Sequence, residues 1–193
     1  LHSLTIRELE EKDLASVKTF TDQAIGKNYY SLAELQSIYN QSILNDRMCS
    51  FVLADPLDQT QSIRGIRICY PPGRWAKGKG SKIRPDLWGV DLQNCAYFQS
   101  LFVDERLRGQ GWGPKLSEVA IGRLRQLGAK AIICHSWVES PGDSSGKYLR
   151  SLGFQPVIQH PQYWKEVDYI CTRDGNPCMC TAEEMILKLE QFT

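Results

Sequence analysis

The sequence predicts one domain of the mixed α/β class, and three observations carry that prediction. The chain has 193 residues, enough to bury one substantial core. Apolar residues recur first at strand spacing and then at helix spacing, in the order β, two helices, a β-meander, then β-loop-α-β-α-β-β. A glycine-rich run, Arg106-Leu107-Arg108-Gly109-Gln110-Gly111-Trp112-Gly113, joins an apolar strand to an amphipathic helix.

Taken in order, residues 4–7 read as a short strand. Asp13 is a candidate N-cap for a helix carrying Leu14, Val17, Phe20 and Ala24, and Ser31 for a second helix with Leu32, Leu35, Ile38 and Tyr39 on one face. Residues 51–54 and 63–70 are strands joined by a polar turn at Asp55-Pro56. Residues 71–93 are rich in proline and glycine without a clear period, and read as an inserted loop. Residues 95–103 form a central strand. The helix over 113–127 has an apolar stripe of Leu116, Val119, Ala120, Leu124 and Leu127, with Pro114 in its first turn and Gly128 closing it. Residues 131–134 are a strand and 145–152 a short helix ending at Gly153. Residues 154–158 and 164–170 read as late strands, and Thr181 as the cap of a final helix through Leu189.

Composition narrows the function classes. Apolar residues make up 42% and charged residues 23%, with net charge +1, so no global field points to nucleic acid or a membrane surface. No apolar run approaches the roughly 18 residues that span a bilayer. The first residues do not resemble a secretory signal. Seven cysteines do not form the even framework of a small secreted domain, which favours a reducing cytoplasm. Cys49, Cys69, Cys95 and Cys134 lie singly in apolar stretches and read as buried small hydrophobes.

The glycine run is an anion seat. Its backbone N–H groups and the positive end of the following helix suit a phosphate or pyrophosphate. Gly113 is followed by Pro114-Lys115 rather than Lys-Ser/Thr, which excludes a P-loop. The third glycine is misplaced for a dinucleotide fingerprint. Arg108-Gly109-Gln110-Gly111-Trp112-Gly113 instead resembles the Gln/Arg-x-x-Gly-x-Gly/Ala signature of the GNAT superfamily of acyl-CoA-dependent N-acetyltransferases. Tyr148-Leu149-Arg150-Ser151-Leu152-Gly153-Phe154 resembles that family's short helix ending in Leu-Gly-Phe. The Ile6-Arg7 strand followed by Asp13-Leu14 is also similar.

The resemblance covers roughly residues 4–170 and implies a largely antiparallel twisted sheet flanked by helices and splayed at an acyl-CoA cleft. It implies that Gly109, Gly111, Trp112 and Gly113, with Gln110 in the same turn, hold the pyrophosphate of acetyl-CoA. Arg106 or Arg108 either adds charge there or is a solvated loop arginine. Leu101, Phe102 and Val103 would offer backbone groups to the pantetheine arm as an added strand does. The family's proton-donating tyrosine falls here at Leu149, so Tyr148, one residue earlier, is either the acid or a packing residue. His135 and Glu139 flank the next strand's end near the cleft and are candidate bases; Tyr97 and Gln99 share a face of the preceding strand.

Two features lie outside that pattern. Residues 74–84 hold five positive charges and no negative one. They read as a solvated loop or as a lid over the acceptor cleft, with Trp75, Trp88 and Tyr97 able to line it. Cys171, Asp174, Cys178 and Cys180, around a Gly-Asn-Pro turn, resemble a small zinc knuckle with Asp174 at a position where cysteine is usual; a knuckle that has lost its metal, or a turn with incidental free thiols, is the other reading. The expected organisation is an acyltransferase domain over 1–170, interrupted by the loop 71–93, and a cysteine-containing extension over 171–193 with a terminal helix. The expected function is acetyl transfer from acetyl-CoA to a small-molecule or peptide amine by direct attack in a ternary complex, without membrane or nucleic acid, and with structural zinc and a homodimer both left open. A non-catalytic acyl-CoA-binding or zinc-stabilised module is the alternative.

Overall fold

A computed structural model describes residues 3–74 and 82–190. Its main sheet has seven strands in the order β1-β4-β5-β6-β7-β9-β8. They are β1 (Thr5–Glu8), β4 (Phe51–Ala54), β5 (Ile63–Tyr70), β6 (Cys95–Val103), β7 (Ala131–Trp137), β8 (Gln155–His160) and β9 (Ala182–Lys188). Every pairing is antiparallel except β6 with β7. A small hairpin of β2 (Ile43–Leu44) and β3 (Arg47–Met48) lies apart; the sequence reading did not detect it.

Helices cover both faces. α1 (Leu14–Ala24) and α2 (Leu32–Gln41) pack on one, α3 (Trp112–Gln126) and α4 (Ser144–Ser151) on the other. The α3 stripe works as the spacing requires: Leu116, Ala120 and Leu124 are fully buried against the sheet, each leucine contributing about 1.5–3 kcal/mol. Val119 was expected on that stripe but stays 43% exposed, because it is rotated off the buried face. Ser31 caps α2 as expected: its Oγ accepts from Glu34 N at 3.1 Å, and the Glu34 carboxylate accepts from Ser31 N at 2.7 Å.

Three expectations are corrected. Asp13 does not cap α1; it is buried and accepts two bonds from the Arg7 guanidinium (2.7 and 2.8 Å) and one from Glu10 N (2.9 Å). Burial opposes its charge, but these donors prevail and hold its carboxyl below the ordinary carboxylate range. Residues 164–170 form turns rather than a strand: Lys165 N reaches Gln162 O and Val167 N reaches Trp164 O, which uses locally the groups a ladder would need. The terminal helix is instead β9. It lies inside the sheet, paired with β7 from Ala131↔Lys188 to Trp137↔Ala182 and with β8 on its other edge. Two strand partners outweigh the local helix preference of a segment built largely of alanine, glutamate, methionine, leucine and lysine.

Candidate active site

β6 and β7 pair from Cys95↔Ala131 to Phe98↔Cys134 and then part. Beyond that point β6 stays bonded to β5 as far as Gly65↔Val103, and β7 stays bonded to β9. The β6 edge at Leu101, Phe102 and Val103 that would face β7 therefore offers free backbone groups to a cleft. The splay makes a slot in which an extended, amide-bearing ligand can add as a strand.

At the end of β6, Asp104 accepts from Arg106 N (3.0 Å), Nε (3.1 Å) and Nη2 (2.8 Å), and Arg64 adds a bond at 3.4 Å. These donors, Arg106 foremost, hold the Asp104 carboxyl well below its usual value. Arg106 is thus committed to the turn. Arg108 is exposed and lines a pocket of about 490 Å³ between α1 and the turn. Gln110 ties the loop by donating to Arg106 O at 3.3 Å.

Gly109 and Gly111 adopt φ of +76° and +83°, which favours glycine, and both have open space where a Cβ would stand. Gly111 precedes α3, and no side chain caps that helix; the first intrahelical bond runs from Lys115 N to Gly111 O. The N–H groups of Trp112 and Gly113 are left for a ligand, and Pro114 has none to give.

At the foot of the splay, where the strands still pair, the buried Tyr97 hydroxyl lies 2.5 Å from His135 Nδ1, and His135 Nε2 lies 2.9 Å from Lys82 O. A carbonyl only accepts, so Nε2 carries a proton, and in the neutral ring Nδ1 accepts from Tyr97. Tyr163 stacks on His135 at 4.4 Å. Behind it sits Glu184, which is fully buried with no lysine or arginine side chain bonded to it among the described residues. It accepts from Trp88 Nε1 (2.6 Å), His160 Nε2 (2.7 Å) and Arg84 N (3.1 Å). Burial opposes its charge, yet His135, whose Nε2 lies 3.8 Å away, and the bonds from His160, Trp88 and Arg84 bring its pKa down to about 2. Glu184 therefore fastens the return limb of the 71–93 insert to the sheet. The remainder of the basic run, Trp75, Lys77 and Lys79 included, lies outside the described residues.

The other candidates are placed as follows. Glu139 accepts from Thr181 N at 2.9 Å through both oxygens, so it holds backbone. The Tyr148 hydroxyl donates to Gly113 O at 3.1 Å at the head of α3, while Leu149 is buried among α3 and sheet residues. Cys171, Asp174, Cys178 and Cys180 come together away from the glycine turn. The sequence reading passed over Glu184, His160 and the Tyr30–Ser100 hydroxyl pair (2.7 Å).

The profile of the Acetyltransferase (GNAT) family matches residues 30–154, a stretch that includes β6, the glycine turn, α3 and α4. The chain belongs to this family. Similar solved GNAT folds include the ribosomal-protein-S18-alanine N-acetyltransferase from Escherichia coli, at 20% identity over 99% of this chain and 97% of that chain, TM-score 0.66. Arabidopsis thaliana NAA60 in complex with acetyl-CoA is similar at 13% identity over 97% and 99%, TM-score 0.70. So is yncA from Salmonella typhimurium with its cofactor acetyl-CoA, at 17% over 98% and 96%, TM-score 0.66. No curated protein sequence matches the chain. GNAT membership supports acyltransferase activity with acetyl-CoA as donor; identities this low carry the fold and not the acceptor. No helix among the described residues is long and apolar enough to cross a membrane.

Proposed function

We propose that the chain is an N-acetyltransferase that moves acetyl from acetyl-CoA to a primary amine of a small molecule or peptide. The observation that carries this is the splay itself. It runs from an uncapped helix start, which suits a pyrophosphate, along an open strand edge to the Tyr97–His135 pair. The donor would lie against Leu101–Val103 with its thioester in the gap. The ammonium acceptor loses a proton toward Tyr97, whose own proton passes to His135 Nδ1. The neutral amine attacks the thioester carbon, the C–N bond forms, the C–S bond breaks, the amide nitrogen sheds its second proton to water, and the thiolate takes a proton from water, directly or through Tyr148. Glu139 acts as a positioning residue through Thr181. Acetyl-CoA is the one cofactor this step uses; zinc at the C-terminal cysteines takes no part in it.

One observation favours the non-catalytic reading. Leu149 occupies the position of the family's acid and is buried, and the Tyr148 hydroxyl is engaged by Gly113 O. A thiol-release assay with acetyl-CoA and a broad amine panel decides between the two. Turnover is expected, and Tyr97→Phe should lower kcat by roughly 100-fold with unchanged CoA affinity. Tight CoA binding with no turnover across the panel would establish a binding module instead.

A further inference from the structure

A second constellation lies at the C-terminal end of the described chain, and acetyl transfer does not use it. Cys171, Asp174, Cys178 and Cys180 each direct one donor atom to a common point; the three sulfurs and one carboxylate oxygen all lie within 4.8 Å of one another. Zinc–sulfur bonds of about 2.3 Å in a tetrahedron set sulfurs about 3.8 Å apart, so the four donors occupy the space of one coordination shell. Backbone geometry builds this arrangement. Cys171 N bonds Gly175 O at 2.8 Å and Gly175 N bonds Cys171 O at 3.0 Å, closing a tight turn with Gly175 at φ +78°. The turn brings Asp174 toward the later cysteines, where its Oδ2 accepts from Met179 N and from the Cys180 thiol, both at 3.1 Å.

The three thiols are buried and none is in a disulfide. Cys178 and Cys180 are too close in sequence for an unstrained bridge. Their surroundings suit a centre with excess negative charge. The Nε1 of Trp137 is buried without a hydrogen-bond partner, and the sulfur it turns toward is that of Cys180. A neutral thiol is a weak acceptor for it, whereas a metal-bound thiolate is a good one. Arg173 Nη1 lies 3.8 Å from Cys180 Sγ and 3.8 Å from Asp174 Oδ1, so a cation stands ready to balance three thiolates and a carboxylate around a divalent ion.

We propose that Cys171, Asp174, Cys178 and Cys180 bind one zinc ion. Binding releases the three thiol protons to solvent and changes no oxidation state. All four positions are filled by protein, so the ion is structural and activates no water. Its place in the fold gives it work. Tyr169, two residues before Cys171, meets Tyr29 edge-on at 4.8 Å, and Ile170 N bonds Lys27 O at 3.3 Å. Gly26 admits this contact because any Cβ there would stand 2.1 Å from Ile170 O. On the other side Cys180 O accepts from Tyr163 N at 3.0 Å, and Tyr163 is the ring stacked on His135. The ion ties the α1–α2 loop and the Tyr163 wall to the end of β7.

The test is metal analysis of the full chain purified under reducing conditions, with reconstitution by cobalt(II). One zinc per chain is expected, with thiolate-to-cobalt charge-transfer absorption in the substituted protein. Cys178→Ser should lose the metal, and Asp174→Cys, which cannot fail for want of a ligand, should hold it more tightly against a chelator. Stripping the metal should speed amide exchange at Ile170 and leave the β4–β5 pairs unchanged. Folded wild-type and Asp174→Cys proteins that take up neither zinc nor cobalt would overturn the proposal. So would zinc retained at full stoichiometry in Cys178→Ser, which would place the metal elsewhere, such as His135, His160 and Glu184. None of these readouts depends on acetyl transfer.

Discussion

Gly111 combines a left-handed backbone with empty space above its Cα, at the point where the α3 dipole begins. Aspartate tolerates that backbone better than most residues, so Gly111→Asp should keep the fold while putting a carboxylate in the anion seat. CoA affinity should fall by roughly 100-fold or more, about 3 kcal/mol; calorimetry showing unchanged binding would remove the donor assignment. Gly109 and Gly111 were legible because few residues other than glycine serve a turn of that kind. Glu184 was not. A glutamate near a chain end reads as surface, and Thr181-x-x-Glu184 has the spacing of a helix capping box. Only the strand pairings that bring His135, His160 and Trp88 to one carboxylate show what it does.

Elements with a strong period and a definite stop were read closely from the sequence. β4, β5 and β6 begin and end where their apolar runs do, and α3 stops at Gln126, two residues before Gly128, which takes φ +88°. The capping box of α2 is local chemistry and equally visible. Because Ser31 is exposed and its hydroxyl serves mainly the cap, Ser31→Ala should cost about 1 kcal/mol of stability, seen as a lower urea midpoint with unchanged slope. No loss would mean that the α2 start is held by packing alone. Two segments were misread for a shared reason. Residues 164–170 have the aromatic and β-branched make-up of a strand, yet the turns leading into the cysteine cluster consume their backbone bonds. β9 has a helix-like start, yet strands on both sides claim it. In each case a distant partner decided the outcome, and local pattern carries no record of it.

Across the molecule, Glu184 couples the insert, three strands and the His135 wall to acidity. Its pKa is about 2 in the fold against an ordinary value of 4.5. The stabilisation it supplies is complete above about pH 4.5 and is lost as pH falls toward 2, at up to about 1.4 kcal/mol per pH unit. Asp13 and Asp104 are also depressed and add to the same acid limb, so Glu184→Gln should flatten that limb without abolishing it. Melting temperatures from pH 6 to 2 would show this, and parallel curves for the two proteins would refute it. The strand order also decides what holds the cluster together. Among the described residues β8 pairs with β9 alone, and β9 stands between β8 and β7. His160 and Glu184 therefore sit on the two strands of one pair, and the β7–β9 ladder is what holds both beside His135. A substitution that loosens that one ladder would withdraw both groups from His135 at once while leaving the glycine turn, which follows β6, as it is.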